Sequence, residues 1–393
     1  MSEEQWQPDE TQLHDLWTAV AGTSGDTAVD SRVTHRDVQR ASTTVAARVT
    51  VARADGSRGT DTYCASTSEK ARPAMRMSDG ERELGVWRFP HDPALPGLEG
   101  AVDPGRLRNL LRGLGLPTGD PRPTVRSYRP LRRAVVEVRT GRATVFVKVL
   151  RPDKVEHLHR LHRAAEGGIA AESLGWTDDG LLVLAGVAGT PLRRLLLGGN
   201  TMELERVDPA EIVATLHGLP EAFADHARRR SWVDQAGHYA DVVARVHPKA
   251  AATAHAVAEA VAVPTGAAPV PVHGDFYETQ LLVSGGRLVG LLDLDTAGAG
   301  DPHDDPACLL GHLSVLSRVK PERAPVIDRF TARCLREFDR HWDPAALRTH
   351  AAAVVLSLAP GAHRTGQRDW RAILEQRLDL AWNWCHADDP LAV

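Results

Sequence analysis

Lysine is nearly missing from this chain. It occurs only at positions 70, 148, 154, 249 and 320, and all other positive side chains apart from histidine are arginine, so a lysine inside an apolar strand stands out. Cysteine is also scarce. The 4 cysteines, Cys64, Cys308, Cys334 and Cys385, lie far apart with no CxxC pair, which argues against a zinc ribbon, a thioredoxin-like site or a disulfide framework and fits a reducing compartment. No uninterrupted apolar run approaches the ~18 residues needed to cross a bilayer, and the start, Met1-Ser2-Glu3-Glu4, is acidic and continues polar. A cytoplasmic protein with no membrane partner is expected. There is no excess of charge either: 47 basic against 51 acidic residues leave −4, so no uniform basic field exists to hold nucleic acid. What is present is 393 residues, 42% of them hydrophobic, enough for two or three domains with packed cores.

Residues 43–52 and 60–65 read as strands joined at Ala54-Asp55-Gly56-Ser57, since Asp-Gly is a strong turn signal. A helix is expected over 104–114, stopped by Gly115 and Pro117. Residues 117–123, with three prolines, make the best candidate linker. Three strands follow at 124–128, 134–139 and 143–150, then a helix from Pro152 to Ala165 and a short strand at 181–184. From Asp208 onward helical periodicity dominates, over 209–216, 221–230, 236–246, 250–261, 307–319, 325–338, 344–358 and 368–386. One strand–turn–strand insertion interrupts it, from Val270 through Leu281-Leu282-Val283, turning at Ser284-Gly285-Gly286-Arg287 and returning over 288–294.

The most informative segment is Val272-His273-Gly274-Asp275-Phe276-Tyr277-Glu278-Thr279-Gln280, followed by Leu291-Leu292-Asp293-Leu294-Asp295. A loop carboxylate, an amide five residues later and a carboxylate at the end of the returning strand can converge on one space. Phosphoryl transfer needs that geometry: a hydroxyl aligned with a γ-phosphate, and metal ions to neutralise developing charge. Asp275 could orient the hydroxyl and accept its proton. Gln280 and Asp293 offer hard oxygen ligands suited to Mg²⁺. Lys148, in Val145-Phe146-Val147-Lys148-Val149, would project an ammonium from a strand onto nucleotide phosphates.

These residues resemble the aminoglycoside phosphotransferase-like kinases. The family's HGDxxxxN loop is met by His273-Gly274-Asp275 with Gln280 at the Asn position, and its GDPxxD segment by Gly300-Asp301-Pro302-His303-Asp304-Asp305. Maltokinase-like and glucosamine-kinase-like relatives likewise use Gln there and carry an amino-terminal cap. The resemblance covers roughly residues 122–393 and implies an α+β, protein-kinase-like two-lobed fold with ATP and Mg²⁺ as cofactors. The expected parts are an amino-terminal α+β cap (1–120), a small nucleotide-binding lobe (121–190) and a helical catalytic lobe (191–393). The resemblance also implies an adenine hinge using the backbone around Leu184 and Gly186, a structural role for His273, and a brace role for Asp301 on the catalytic loop. Asp295 is a second metal ligand or merely a loop carboxylate.

The sequence departs from the family at three points. Gln280 is one methylene longer than Asn. The stretch Arg126-Ser127-Tyr128-Arg129-Pro130-Leu131-Arg132-Arg133-Ala134 lacks a glycine-rich phosphate cover. The helix after Lys148 has His159 and His162 where a Glu partner is expected, leaving Glu156 or Glu166. A calcium loop at Asp293 fails because its fifth position is Ala297. A metallohydrolase pair at His303-Asp304 is the weaker alternative, with Pro302 and Pro306 expected to deny it a helix.

The expected activity is ATP- and Mg²⁺-dependent transfer of the γ-phosphate to a hydroxyl of a small molecule: an aminoglycoside, an amino sugar or another sugar. Asp388 and Asp389 would suit an amino sugar, and Trp382 and Trp384 are either a sugar platform or helix packing. The competing readings are a weak or inactive kinase-like nucleotide-binding module and a metal-dependent phosphohydrolase. Oligomeric state is not legible.

Overall fold

The computed structural model describes residues 6–39, 42–78, 82–141, 143–226, 228–262, 266–364, 367–387 and 390–391. It divides into two compact units, one of residues 1–159 and 173–186, the other of residues 160–172 and 187–393. The proline-rich stretch 117–123 lies inside the first.

The first unit opens with helix α1 (Glu10–Gly22), then strands β1 (Thr27–Gln39), β2 (Ser42–Ala52), β3 (Arg58–Ser66), β4 (Met75–Ser78) and β5 (Glu83–Arg88). Asp9 and Gln12 form a reciprocal capping box that starts α1. The strands build an antiparallel sheet in the order β1-β2-β3-β5-β4. The expected turn at Asp55-Gly56 closes β2 onto β3, with Gly56 at φ 83° and the Arg53 amide donating to the Ser57 carbonyl at 2.8 Å. Alternation decides what each face of β2 meets. Val45, Ala47, Val49 and Val51 bury against Leu13, Trp17 and Val20 of α1, whereas Ala46 points the other way, to Cys64, Ala71, Trp87 and Leu131.

Helices α2 (Leu98–Val102) and α3 (Pro104–Gly113) lead to a second sheet: β6 (Arg122–Arg129), β7 (Arg133–Thr140), β8 (Ala143–Leu150), then helix α4 (Pro152–Ala164), β9 (Ser173–Trp176) and β10 (Leu181–Ala185). Its order is β6-β7-β8-β10-β9. Asp103 caps α3 through the Arg106 amide, and Pro104 sits at the first helical position where no N–H is needed. The alternation of β7 and β8 is regular: Ala134, Val136, Val138, Val145, Val147 and Val149 bury against Leu98, Leu107 and Leu111, each buried valine or leucine contributing roughly 1.5–3 kcal/mol.

The second unit adds β11 (Thr190–Pro191), α5 (Leu192–Leu196), α6 (Thr201–Arg206), α7 (Pro209–His217), α8 (Ala236–Val246) and α9 (Ala251–Val261). Strands β12 (Val270–Val272), β13 (Leu281–Ser284), β14 (Arg287–Leu291) and β15 (Gly298–Gly300) follow. Helices α10 (Asp304–Val319), α11 (Ala324–Phe338), α12 (Pro344–Leu358), α13 (Gly361–Arg364) and α14 (Trp370–His386) complete it. Helix α10 is buried on nearly every face and packs against α11, α12 and α14, as expected of a central helix that is apolar all round.

Three expectations need correction. Of the helix expected over 221–230 only a 3₁₀ turn, Glu221–Asp225, forms, because the chain turns to run beside β15, where the Arg229 amide donates to the Ala299 carbonyl at 2.8 Å. The returning strand ends at Leu291 and not Leu294, since Asp293 takes a left-handed conformation and a 3₁₀ turn, Leu294–Thr296, follows. Pro306 does not exclude a helix: α10 begins at Asp304 and places Pro306 in its first turn, where a missing N–H costs nothing.

Candidate active site

Short strands set the site. β12 pairs antiparallel with β15, Val272 opposite Gly298, so the chain leaves the pair at His273 beside the segment that enters it from Thr296. Two buried bonds hold the loop: the His273 and Gly274 amides donate to Asp305 Oδ2 and Oδ1 at 2.6 and 2.7 Å. Asp305 is fully buried, and desolvation pushes its carboxyl up to about 7 against the pull of those two donors. Gly274 sits at φ 80°, and a Cβ there would overlap Arg229 Nη1 and fall 2.6 Å from the Thr296 carbonyl. Only glycine fits.

His273 braces the next turn. Its Nδ1 accepts from the Asp275 amide at 3.3 Å, which leaves Nε2 to carry the proton and donate to the Leu292 carbonyl at 2.8 Å. The Leu292 amide in turn donates to the Gln280 carbonyl at 2.8 Å. The hairpin register, Leu281 opposite Leu291, therefore puts Gln280 and Asp293 at the same end of β13 and β14. Asp293 has φ 62°, a conformation that a non-glycine residue adopts only when its surroundings enforce it and that recurs at functional sites. Asp275, Gln280 and Asp293 are thus tied through one imidazole, which bonds to the Asp275 amide and the Leu292 carbonyl, and one backbone bond from Leu292 to Gln280. Asp295 follows in the 3₁₀ turn, half-buried.

Behind Asp275 stands a group that sequence reasoning missed. Ligand atoms of Asp275, Cys308 and His312 lie within 4.8 Å of one another, and the Tyr277 ring stacks on His312 with centroids 4.3 Å apart. Burial drives His312 down to about 4 and the Cys308 thiol far up, so near neutral pH both are uncharged beside the aspartate. Burial, then the charges of Asp275, Glu278 and Asp293, raise the Tyr277 phenol to about 12. Asp305, Cys308 and His312 fall at i, i+3 and i+7 of α10, one helical face. That spacing was the available signal. Glu278 is buried at the loop's far end, where Arg193 Nη1 donates to Oε1 at 2.6 Å and the Arg193 amide to the Glu278 carbonyl at 3.1 Å. Its Oε2 has no hydrogen-bond partner among the described residues, and burial raises its pKa.

The brace assigned to Asp301 belongs to Asp305. Asp301 Oδ1 accepts from His303, from its amide at 2.9 Å and its Nδ1 at 2.8 Å.

Lys148 lies on β8, in the first unit, opposite Val135 and Leu182. It occupies the sheet face away from the core cluster and is only 5% exposed. Leu184, buried, pairs with Phe146 on the same sheet. The Gly186 amide already donates to the Thr144 carbonyl at 3.1 Å, and a Cβ at Gly186 would meet that oxygen at 2.5 Å. The chain passes from one unit to the other directly after Gly186. Of the two glutamates, Glu166 is exposed and paired with Arg163 at 3.0 Å, while Glu156 is on the exposed side of α4. His159 and His162 instead hold the turn after α4, to Ser173 Oγ at 2.8 Å and the Ala171 carbonyl at 2.7 Å.

In place of a glycine-rich cover, the β6–β7 turn carries Leu131 at φ 61°. Its amide donates to Asp92 Oδ2 at 2.8 Å, and its side chain is buried beside Trp87. Trp384 is buried and donates to Ser314 Oγ at 3.2 Å, so it packs, while Trp382 is 40% exposed and stacks on His386. Asp388 and Asp389 lie outside the described residues. Two cavities of about 540 and 620 Å³ in the second unit are lined by other residues than Asp275, Gln280 and Asp293. Among the described residues no helix is long and apolar enough to cross a membrane.

The fold is shared with known structures. A thermostable mutant of aminoglycoside phosphotransferase APH(4)-Ia, in ternary complex with ADP and hygromycin B, superposes with a TM-score of 0.50 at 15% identity, covering 72% of this chain and 99% of that one. A Ralstonia eutropha protein provisionally named an aminoglycoside phosphotransferase gives 0.51 at 13% identity, covering 72% and 98%. No curated protein matches in sequence. The sequence pattern of the phosphotransferase enzyme family matches residues 130–348, a stretch that contains Lys148, the whole His273–Asp305 constellation and more than half of the chain. The protein therefore belongs to the phosphotransferase enzyme family and is a small-molecule phosphotransferase with the α+β, kinase-like fold of that family.

Proposed function

We propose that the protein transfers the γ-phosphoryl group of ATP, with Mg²⁺, to a hydroxyl of an aminoglycoside, an amino sugar or another sugar. The observation that carries this reading is the tie between Asp275, Gln280 and Asp293 through His273 and Leu292. Asp275 receives the hydroxyl proton as the oxygen attacks phosphorus and the bond to the β-phosphate oxygen breaks. The donor set at the hairpin end, an amide carbonyl and a carboxylate, suits a hard divalent ion, so Gln280 and Asp293 would hold Mg²⁺, with Asp295 either a further ligand or a loop carboxylate. Bound there, the ion would supply charge neutralisation on the phosphates. Lys148 is assigned to the phosphates, and Leu184 with the Gly186 carbonyl to the adenine side. Uncharged Cys308 and His312 bring no positive charge of their own to the Asp275 carboxylate, so neither weakens its affinity for a proton. The reading includes a cap, nucleotide-lobe and helical-lobe division of labour over 1–120, 121–190 and 191–393, and a cytoplasmic setting.

A second reading, a nucleotide-binding module of weak or no activity, is favoured by the β6–β7 turn, which has no glycine and a buried tip at Leu131. ATP consumption measured over a panel of aminoglycosides, amino sugars and sugars separates the two. Wild type is expected to turn over at least one acceptor only with Mg²⁺, and Asp275→Ala to lose about 10²–10⁴-fold in rate at an unchanged melting temperature. Stabilisation by ATP and Mg²⁺ with no consumption on any acceptor would favour the second reading. Full activity in Asp275→Ala would overturn the first.

A further inference from the structure

Away from Asp275, the amino terminus of α10 and the middle of α12 enclose a second convergence of donors. Asp301 Oδ1 stands 2.8 Å from His303 Nδ1 and 3.8 Å from His350 Nε2, and the three ligand atoms lie within 4.8 Å of one another. A tetrahedral zinc ion, with bonds of about 2.0–2.2 Å, separates its ligands by roughly 3.3–3.6 Å. The observed spacings bracket that range.

Three further features point to a ligand. His350 is fully buried, and its Nε2 has no hydrogen-bond partner among the described residues. Its other nitrogen, Nδ1, is engaged by Asp304 Oδ1 at 3.0 Å, and Asp304 is itself held by Ser231 Oγ at 2.7 Å and the Trp232 amide at 3.3 Å. A carboxylate on the remote imidazole nitrogen is the arrangement that orients metal-binding histidines. Finally, Asp301 and Asp304 are both buried, and buried carboxylates are paired or coordinate metals. Of the three donors, His303 also lines the cavity of about 620 Å³.

We propose that Asp301, His303 and His350 form a site for a zinc-type divalent transition ion, distinct from any Mg²⁺ held by Gln280 and Asp293. Two imidazoles and one carboxylate select such an ion over Mg²⁺. Occupancy displaces the proton that His303 Nδ1 now shares with Asp301. The ion would clamp the start of α10, and with it Asp305 under the catalytic loop, onto α12.

The test uses full-length protein stripped with chelator and reloaded with Zn²⁺ or Co²⁺. Expected are about one zinc per chain by elemental analysis after desalting, visible Co²⁺ bands of a four-coordinate N/O site, and a melting temperature raised by the metal but not by an equal concentration of Mg²⁺. His303→Ala should fold, by circular dichroism, yet lose the zinc and the Co²⁺ bands. His350→Gln should do the same; if it fails to fold, His303→Ala decides alone. His312→Ala should keep the zinc, because Asp275, Cys308 and His312 are the rival cluster. Less than about a fifth of an ion per wild-type chain, undiminished zinc in His303→Ala, or loss of zinc in His312→Ala alone would overturn the proposal.

Discussion

Two residues, Gly274 in the loop that carries Asp275 and Asp305 beneath it, have consequences out of proportion to their size. At Gly274 the backbone is left-handed and the space a methyl group would need is filled by the Arg229 guanidinium and the Thr296 carbonyl. Gly274→Ala should therefore cost roughly 2–4 kcal/mol from backbone strain and forced displacement together, read as a lower denaturation midpoint, and should impair turnover because the Asp275 amide moves with it. A wild-type midpoint would mean the loop is not held as described. Asp305 bears on pH. Its ordinary value is 3.8 and burial raises it to about 7 in the folded chain, so the native state holds a proton that the unfolded state has released. By linkage, the stability contributed by that proton is complete below about pH 4 and disappears as the pH rises through 7. Unfolding free energies measured between pH 4.5 and 8 should fall with pH more steeply in wild type than in Asp305→Asn; parallel profiles would remove Asp305 as the source.

At the scale of elements, legibility followed burial. The strands of the second sheet were plain in sequence because Ala134 to Val138 and Val145 to Val149 alternate cleanly against α2 and α3. β1 was not, because it is an edge strand with most of its length exposed or half-exposed, and its few apolar residues carry no strong period. The capping box of Asp9 and Gln12 would have announced α1. In the candidate site, residue types at fixed spacing singled out Asp275, Gln280 and Asp293, which the fold ties to one another, yet spacing did not tell which of Asp301 and Asp305 supports the loop. That depended on where α10 begins: a start at Asp304 turns Asp305 toward the His273 and Gly274 amides and leaves Asp301 to His303. Arg193 shows an element-level tie of the same kind, fastening the start of α5 to the loop through Glu278. Arg193→Ala should strand a buried carboxylate, and the loss of thermal stability should be larger at pH 8 than at pH 5, where Glu278, already raised by burial, can more readily take up a proton. Equal losses at both pH values would argue against a buried charge.

At the scale of the whole chain, the amino-terminal sheet is not a freely appended module. Its β2, β3 and β5 present Ala46, Cys64 and Trp87 to Leu131, the tip of the β6–β7 turn. Beside that contact, Tyr128 donates to Asp92 Oδ2 at 2.7 Å and accepts from Trp87 Nε1 at 2.9 Å, while Asp92 also receives the Leu131 amide. The turn that a kinase-like fold would devote to glycine-rich phosphate cover is thus shaped by its own Leu131 and by an aspartate and an indole from upstream sequence. A strained leucine persists at φ 61° only because its surroundings enforce it. Tyr128→Phe leaves Asp92 and the Trp87 indole each short of a partner, a cost of about 1–3 kcal/mol. It should lower the melting temperature of the full chain without abolishing folding. Removing residues 1–88 goes further, exposing Leu131 and Tyr128 together and stripping the turn of its indole, so the fragment should be markedly less stable to heat and denaturant than the full chain. If the turn contributes to holding ATP, both changes should raise the KM for ATP more than they lower kcat. A fragment as stable as the parent, with the parent's KM for ATP, would show that the cap neither supports the second sheet nor shapes its turn.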